Sequence, residues 1–387
     1  MNIPKQGPST AMVLLLAAAC GIVVANIYVA QPLVGMIGPA VGLSARDASL
    51  IVSLTQSGYA LGLILLVPLG DLLENRRLVV LTVAASIPGL LLAGVAHSAP
   101  MMLAAAILIG IPTVGVQMLV PLAAHLAPDA TRGRVVGNVM SGLLAGILLA
   151  RPVASLIADA AGWRAVFFAA AAAMAATALL LRFTLPHRQP ETQERYGALL
   201  ATLFALPFTQ PVLRRRALYQ AACFAGFSLF WTGAPLLLAR DFGFTQRGIA
   251  VFALAGAAGA LAAPIAGRLA DRGYSRGGTL GGLLAVAGGF GIAWVGAWVH
   301  SYLLLALAGV VLDAGVQTNL VIGQRAIYAL APALRSRLNG MFLALFFLGG
   351  AAGSALTSPV LQAFGWPGIC ALGIMLPLAA LMMFLRR

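Results

Sequence analysis

Apolar runs of about twenty residues alternate along this chain with short polar stretches rich in arginine. A run of that length crosses the ~30 Å hydrocarbon layer of a bilayer as an α-helix. Twelve are expected: 11–36, 49–69, 78–96, 101–124, 134–157 and 163–183, then 217–239, 247–266, 277–298, 302–325, 337–359 and 366–385. Between the two sets lies 184–216, the one long polar connection, with His187, Arg188, Glu191, Glu194, Arg195 and Arg214 to Arg216. Its stretch from about 198 to 208 is apolar enough for an interfacial helix. The pattern predicts an all-α membrane protein of two six-helix halves, 1–183 and 217–387, joined by a linker over 184–216.

The two halves repeat one another. Gly115-Val116-Gln117 returns as Gly315-Val316-Gln317, and Leu126-Ala127-Pro128 as Leu330-Ala331-Pro332. Arg132-Gly133-Arg134 and Gly162-Trp163 return as Arg335-Ser336-Arg337 and Gly365-Trp366 at a constant offset of 203 residues. Apolar segments repeated at matching places are the mark of a transporter built by duplication.

Composition supports the membrane reading. Only 9% of residues are charged, 61% are hydrophobic, and the mean hydropathy is +0.97. A soluble domain carries about 25% charge. The net charge of +14 forms no long patch suited to nucleic acid. It is distributed by side instead. With the N-terminus cytoplasmic, nineteen Lys and Arg residues, Lys5 and Arg387 among them, fall on the inner side. Only Arg46, Arg164, Arg240 and Arg247 fall on the outer side. That bias puts both termini in the cytoplasm, with the chain multi-pass in a bacterial-type inner membrane. Cys20, Cys223 and Cys370 and the four histidines show no metal-ligand spacing.

Two loops carry a family resemblance. After the second run stand Gly70, Glu74, Asn75, Arg76 and Arg77; after the eighth stand Gly267, Asp271, Arg272, Gly273 and Arg276. With six plus six helices and a polar central connection, the whole chain resembles the major facilitator superfamily, whose loop reads Gly-x-x-x-Asp-Arg-x-Gly-Arg-Arg. The resemblance implies that Gly70 and Gly267 let the backbone pack closely. It implies that Glu74 and Asp271 latch the cytoplasmic gate, Glu74 facing Arg335 and Arg337 and Asp271 facing Arg132 and Arg134. In the fifth run, Gly142, Gly146, Arg151 and Pro152 put Arg-Pro where drug-exporting members have Gly-Pro, and Pro152 is expected to kink the helix. The stretch 148–164 resembles bacterial drug and arabinose exporters. Where members carry a fourth-helix arginine, this chain has Pro112, Thr113 and Gln117.

Polar groups inside the apolar runs are the candidate chemistry. Asp313 falls mid-run, ~16 Å from the outer end at 1.5 Å per residue. A charged carboxylate there costs several kcal/mol without water or a partner, the condition for exchanging a proton. Its repeat counterpart is Thr113. Arg151, whose counterpart is Ser354, lies ~26 Å from the inner end of its run. It either binds an anionic group of the substrate, is neutralised by Asp159 or Asp47, or snorkels to the outer interface. The resemblance implies a cavity lined by runs one, four, seven and ten. Its candidates are Asn26, Tyr28, Gln31, Thr113, Gln117, Gln220, Trp231, Gln317 and Asn319, to which the second run adds Gln56 and Tyr59, and each can equally cross-link helices.

No nucleophile elbow, phosphate loop or ATP-binding domain is present, so an enzyme is not expected and no cofactor or metal is required. The leading expectation is a secondary active transporter: proton-coupled efflux of a small amphipathic organic compound by alternating access, with Asp313 carrying the proton. The alternatives are a facilitator or importer of a small organic anion using Arg151 without proton coupling at Asp313, and a non-transporting membrane sensor. The expected partners are a small-molecule substrate, a proton and the lipid bilayer, with no nucleic acid, and the chain is expected to act as a monomer.

Overall fold

A computed structural model describes residues 7–190, 194–260, 262–331 and 334–386. Lys5, Glu191, Pro332 and Arg387, used above, lie outside the described residues. The first half begins with α1 (Thr10–Ala25), a turn, a 3-10 stretch (Gln31–Leu33) and α2 (Val34–Ala40), which together make one passage. α3 (Leu50–Leu65) continues into a 3-10 stretch (Val67–Asp71). α4 (Asn75–Gly94) follows, then α5 (Ala99–Gly110) and α6 (Gly115–Leu126) joined by a 3-10 turn (Ile111–Val114). α7 (Arg132–Ala161) and α8 (Trp163–Thr184) complete the set. α9 (Tyr196–Thr209) occupies the central connection.

The second half comprises α10 (Pro211–Asp241), then α11 (Gln246–Ala253), α12 (Ala255–Ala260) and α13 (Ala262–Asp271) in one broken passage. α14 (Ser275–Trp298), α15 (Tyr302–Tyr328) and α16 (Arg335–Leu385) follow. At 51 residues α16 is too long for one crossing, and Gly365, at φ 63°, divides it into two. Among the described residues nine helices are long and apolar enough to cross a membrane. With α16 counted twice and the first and eighth passages assembled from shorter helices, the chain approximates the expected twelve. Pro152 stands inside an unbroken α7. The backbone departs from the α-helix at residues 26–33 and 111–114, where Pro32 and Pro112 remove amide donors.

The repeated motifs have structural roles. Gly162 and Gly365 both take positive φ, a conformation costly for other residues. Each starts the last helix of its half, and the tryptophan after each is buried. Trp366 Nε1 donates to the Ala293 carbonyl at 3.2 Å. Arg132 Nε donates to the Ala124 carbonyl and Arg335 Nε to the Tyr328 carbonyl, both at 3.0 Å. The repeated arginine therefore satisfies carbonyls left open at the end of the preceding helix. A Cβ on Gly115 would sit 2.9 Å from Thr82 Oγ1, and one on Gly315 2.6 Å from the Gly282 carbonyl oxygen. The repeated glycine is where the fourth helix of each half closes on the third.

α3 packs along α16, and α10 packs on α2 and the Gln31–Leu33 turn. α7 meets α11, whereas α13 packs on α15 and α14. The two halves thus close at the end away from Arg132 and Arg335. There Ser49 and Ser358 exchange reciprocal bonds, each backbone N–H donating to the other's Oγ at 3.2 Å. Ser354 Oγ donates to the Ser49 carbonyl at 3.3 Å. Large apolar side chains such as Leu81, Phe183, Trp298, Phe364 and Met375 are exposed on α4, α8, α14 and α16. Only an apolar solvent makes that arrangement favourable.

Candidate functional site

The site is built around one indole. α10 buries Trp231, whose Nε1 donates to Asp313 Oδ1 of α15 at 2.8 Å. α12 closes over this pair through Gly256, where a Cβ would meet Trp231 Cζ2 at 2.8 Å and Asp313 Oδ2 at 2.9 Å. From the other half, α7 brings Arg151 onto the same ring. The guanidinium carbon lies 4.1 Å from the Trp231 ring centroid, 5.2 Å from that of Phe227 and 5.8 Å from that of Tyr28. Arg151 and Asp313 are both buried, 2% and 5% exposed, and they attract one another without a hydrogen bond between them.

This arrangement leaves the guanidinium incompletely satisfied. Arg151 Nε and Nη1 have no hydrogen-bond partner among the described residues. A desolvated cation–π contact contributes about 2 kcal/mol, less than the several kcal/mol needed to bury a charged group. Ser155 Oγ, one turn further along α7, is also buried without a partner, as are both side-chain polar atoms of Gln31 and Asn26 Nδ2. Asn26 and Gln31 flank the segment where the first passage unwinds, as in carriers whose broken helices offer polar groups at a binding site. The cluster can accept an anionic oxygen at Arg151 and exchange a proton at Asp313.

The remaining candidates make separate pairs. Gln56 Nε2 donates across the halves to Ser228 Oγ at 3.0 Å. Gln117 Nε2 donates to Tyr59 Oη at 3.0 Å. Asn319 Nδ2 donates to Gln220 Oε1 at 2.9 Å, and Gln220 Nε2 donates to the Val316 carbonyl at 3.4 Å. Thr113 Oγ1 donates to the Ile109 carbonyl of its own passage, and Gln317 is half-buried on α15. Neither Asp47 nor Asp159 meets Arg151; Asp47 accepts from Ser44 Oγ instead. Residue types alone did not single out Phe227, Ser155 or Gly256. Phe227 and Ser155 do stand one helical turn from Trp231 and Arg151, a spacing that puts each pair on one face.

The loop residues are arranged differently from the expectation. Gly70 has nothing within 4 Å of a Cβ position, and Gly267 only Val321 at 4.0 Å, so neither marks a close backbone approach. Gly70 lies in a 3-10 turn whose carbonyl accepts from Asn75 Nδ2 at 2.7 Å. Glu74 caps its own helix, accepting the backbone N–H groups of Arg77 at 2.7 Å, Arg76 at 2.9 Å and Arg188 at 3.2 Å. Partial burial pushes its carboxyl up, but these donors and His187 outweigh it and hold the group below the usual carboxylate value. Asp271 pairs with Arg325 of its own half. Arg337 pairs with Glu194 in the connection and lies within electrostatic reach of Asp71. Arg272 and Arg134 are exposed, and Arg76 Nη1 donates to the Leu185 carbonyl at 3.3 Å. A cavity of about 460 Å³ lined by Gln324, Arg325, Tyr328 and Arg335 opens at this end.

Comparison with known proteins agrees with this architecture. The chain is 42% identical to "Uncharacterized transporter YgaY" of Escherichia coli O157:H7, covering 100% of this chain and 98% of that protein. It is 34% identical to "Probable transporter SCO4007" of Streptomyces coelicolor, covering 95% and 86%. Its fold matches that of the nucleoside transporter NupG with a TM-score of 0.79 at 14% identity, over 97% of this chain and 99% of that one. The family model described as Major Facilitator Superfamily matches residues 13–318 and 217–387. The chain is therefore a multi-pass membrane protein that belongs to the major facilitator superfamily of transporters.

Proposed function

We propose that this protein is a proton-coupled exporter of a small amphipathic organic compound, working by alternating access. Residues 1–183 rock against 217–387 about the 184–216 connection, and the arginine-rich end with both termini faces the cytoplasm of a bacterial-type inner membrane. The observation that carries the reading is the buried Asp313–Trp231–Arg151 cluster, which joins a proton-exchanging group in one half to a cation in the other. Ionised, Asp313 makes a charge-assisted bond to the indole and attracts Arg151 through it. Protonation removes both effects and loosens the seat on which the halves meet. Because α10 and α7 also line the closed end, that change is felt where Ser49 and Ser358 hold the two halves together. Substrate and proton then compete for the same cluster.

Everted membrane vesicles with an imposed pH gradient test this, using a pH-gradient dye to follow proton release as a panel of amphipathic compounds is added. The parent protein is expected to release protons with a subset of the panel, and Asp313→Asn to abolish the response at equal protein level. Undiminished gradient-driven transport by Asp313→Asn would refute the assignment.

A second reading rests on the two unpartnered N–H groups of Arg151. Here the substrate is a small organic anion that supplies their acceptor, and no proton moves through Asp313. Arg151→Gln would then abolish transport while Asp313→Asn retained it, and the transport current would depend on membrane potential.

A further inference from the structure

The arginine-rich end carries a basic cavity in each half, at matching places. In the second half α10, α14, α15 and α16 enclose about 360 Å³ lined by Arg215, Arg216, Arg276, Tyr219 and Phe384. In the first half about 390 Å³ is lined by Arg76, Arg77 and Arg182 with Glu74 and His187. Arg76 and Arg276 are each the second residue of the third helix of their half, and the end of the last helix supplies the opposite wall. The two cavities differ in charge. Glu74 tempers the first, whereas no Asp or Glu is among the described residues lining the second.

Three guanidinium groups around one cavity repel one another unless an anion lies between them. Arg216 is fixed in place, its Nη1 donating to Thr279 Oγ1 at 2.7 Å. Arg215 and Arg276 make no salt bridge among the described residues. Arginine presents a planar fork matched to phosphate oxygens. The surroundings of the cavity point to a lipid phosphate. Leu218, Met382, Met383 and Leu385, on the two helices that flank it, are exposed. An amphiphile with a phosphate head and apolar tails satisfies both the cationic pocket and these surfaces, and basic pockets between membrane helices take such headgroups.

We propose that the cavity lined by Arg215, Arg216 and Arg276 holds the phosphate headgroup of an anionic phospholipid, whose acyl chains lie on α10 and the end of α16. This site is remote from the Asp313 cluster and stands whether or not the chain exports protons.

Native mass spectrometry of the full-length protein tests it, after delipidation in detergent and titration with cardiolipin, phosphatidylglycerol or phosphatidylethanolamine. Each arginine beside a membrane phosphate contributes about fivefold in affinity. Cardiolipin and phosphatidylglycerol are expected to bind about tenfold or more tighter than phosphatidylethanolamine. Arg276→Gln is expected to weaken them about fivefold, and the pair Arg215→Gln with Arg276→Gln about 25-fold. Arg247→Gln removes the same charge at the other end and is expected to leave binding unchanged. Arg276 is exposed, so its single variant reports even should the double variant fail to fold. Equal binding of phosphatidylethanolamine, or equal weakening by Arg247→Gln, would overturn the proposal. So would displacement of the lipid by millimolar inorganic phosphate, which would mark a site for free phosphate.

Discussion

Trp231 is the residue through which Asp313 and Arg151 act on each other, and its ring and its N–H do different work. The ring carries the Arg151 contact, and the N–H carries the 2.8 Å bond to Asp313. Trp231→Phe keeps an aromatic face but removes the donor and part of the ring. Hydrogen bonds to charged groups contribute about 1.5–3 kcal/mol, so a lower melting temperature in detergent is expected, with a larger fall for Trp231→Leu. Equal falls would mean that the ring contact with Arg151 contributes nothing, and no fall for Trp231→Phe would mean that the N–H contributes nothing. Glu74 permits a pH test with a fixed sign. Its carboxyl lies below the usual value in the folded protein. The stability it contributes is therefore full above the unfolded value of about 4.3 and is lost as pH falls through the lower folded value. The melting-temperature gap between the parent and Glu74→Gln is expected to be constant from pH 5 to 7 and to narrow below about pH 4. A gap that widened on acidification would contradict the capping role.

At the scale of elements, small residues determine which helices touch. A Cβ on Gly21 of α1 would fall 2.7 Å from the Gly142 carbonyl oxygen of α7. One on Gly349 of α16 would fall 2.6 Å from the Ala221 carbonyl oxygen of α10. The repeat offset pairs Gly146 with Gly349, so each half packs its fifth helix on its first by the same device. Gly146→Leu is expected to destabilise the protein by about 1–3 kcal/mol through overpacking. Gly137→Leu on the same helix, where nothing lies within 4 Å, is expected to be nearly neutral. Thermal unfolding of the two variants checks the contrast. The Gly-Trp and Arg-x-Arg repeats were legible as repeats from residue order alone. Their work as a positive-φ start and as a cap on the preceding helix was not, because both depend on backbone geometry.

Across the whole molecule, the contact between halves at one end is held by Ser49, Ser354 and Ser358 and by the Gln56–Ser228 bond. The alternating access proposed above requires these to part. Oxidation of the double variant Ser49→Cys, Ser358→Cys is expected to cross-link the halves and stop transport, with recovery on reduction. Cys20, Cys223 and Cys370 are buried and add little background. Transport that continued in the cross-linked protein would show that this end need not open. Nothing in the order of residues marked Ser49 for this task, since a serine near the end of an apolar run is ordinary. Residue order was enough to establish that the chain crosses a membrane many times as two related sets of helices. Hydropathy and spacing are properties of adjacent residues and need no third dimension, and a charge kept inside an apolar run is conspicuous for the same reason. Which lone polar groups meet follows from the packing of the helices alone. Arg151 reaches the ring and Asp313 the N–H of one indole because the packing of α7, α10 and α15 puts them there. That packing is set by the summed shapes of many small side chains and not by any local pattern.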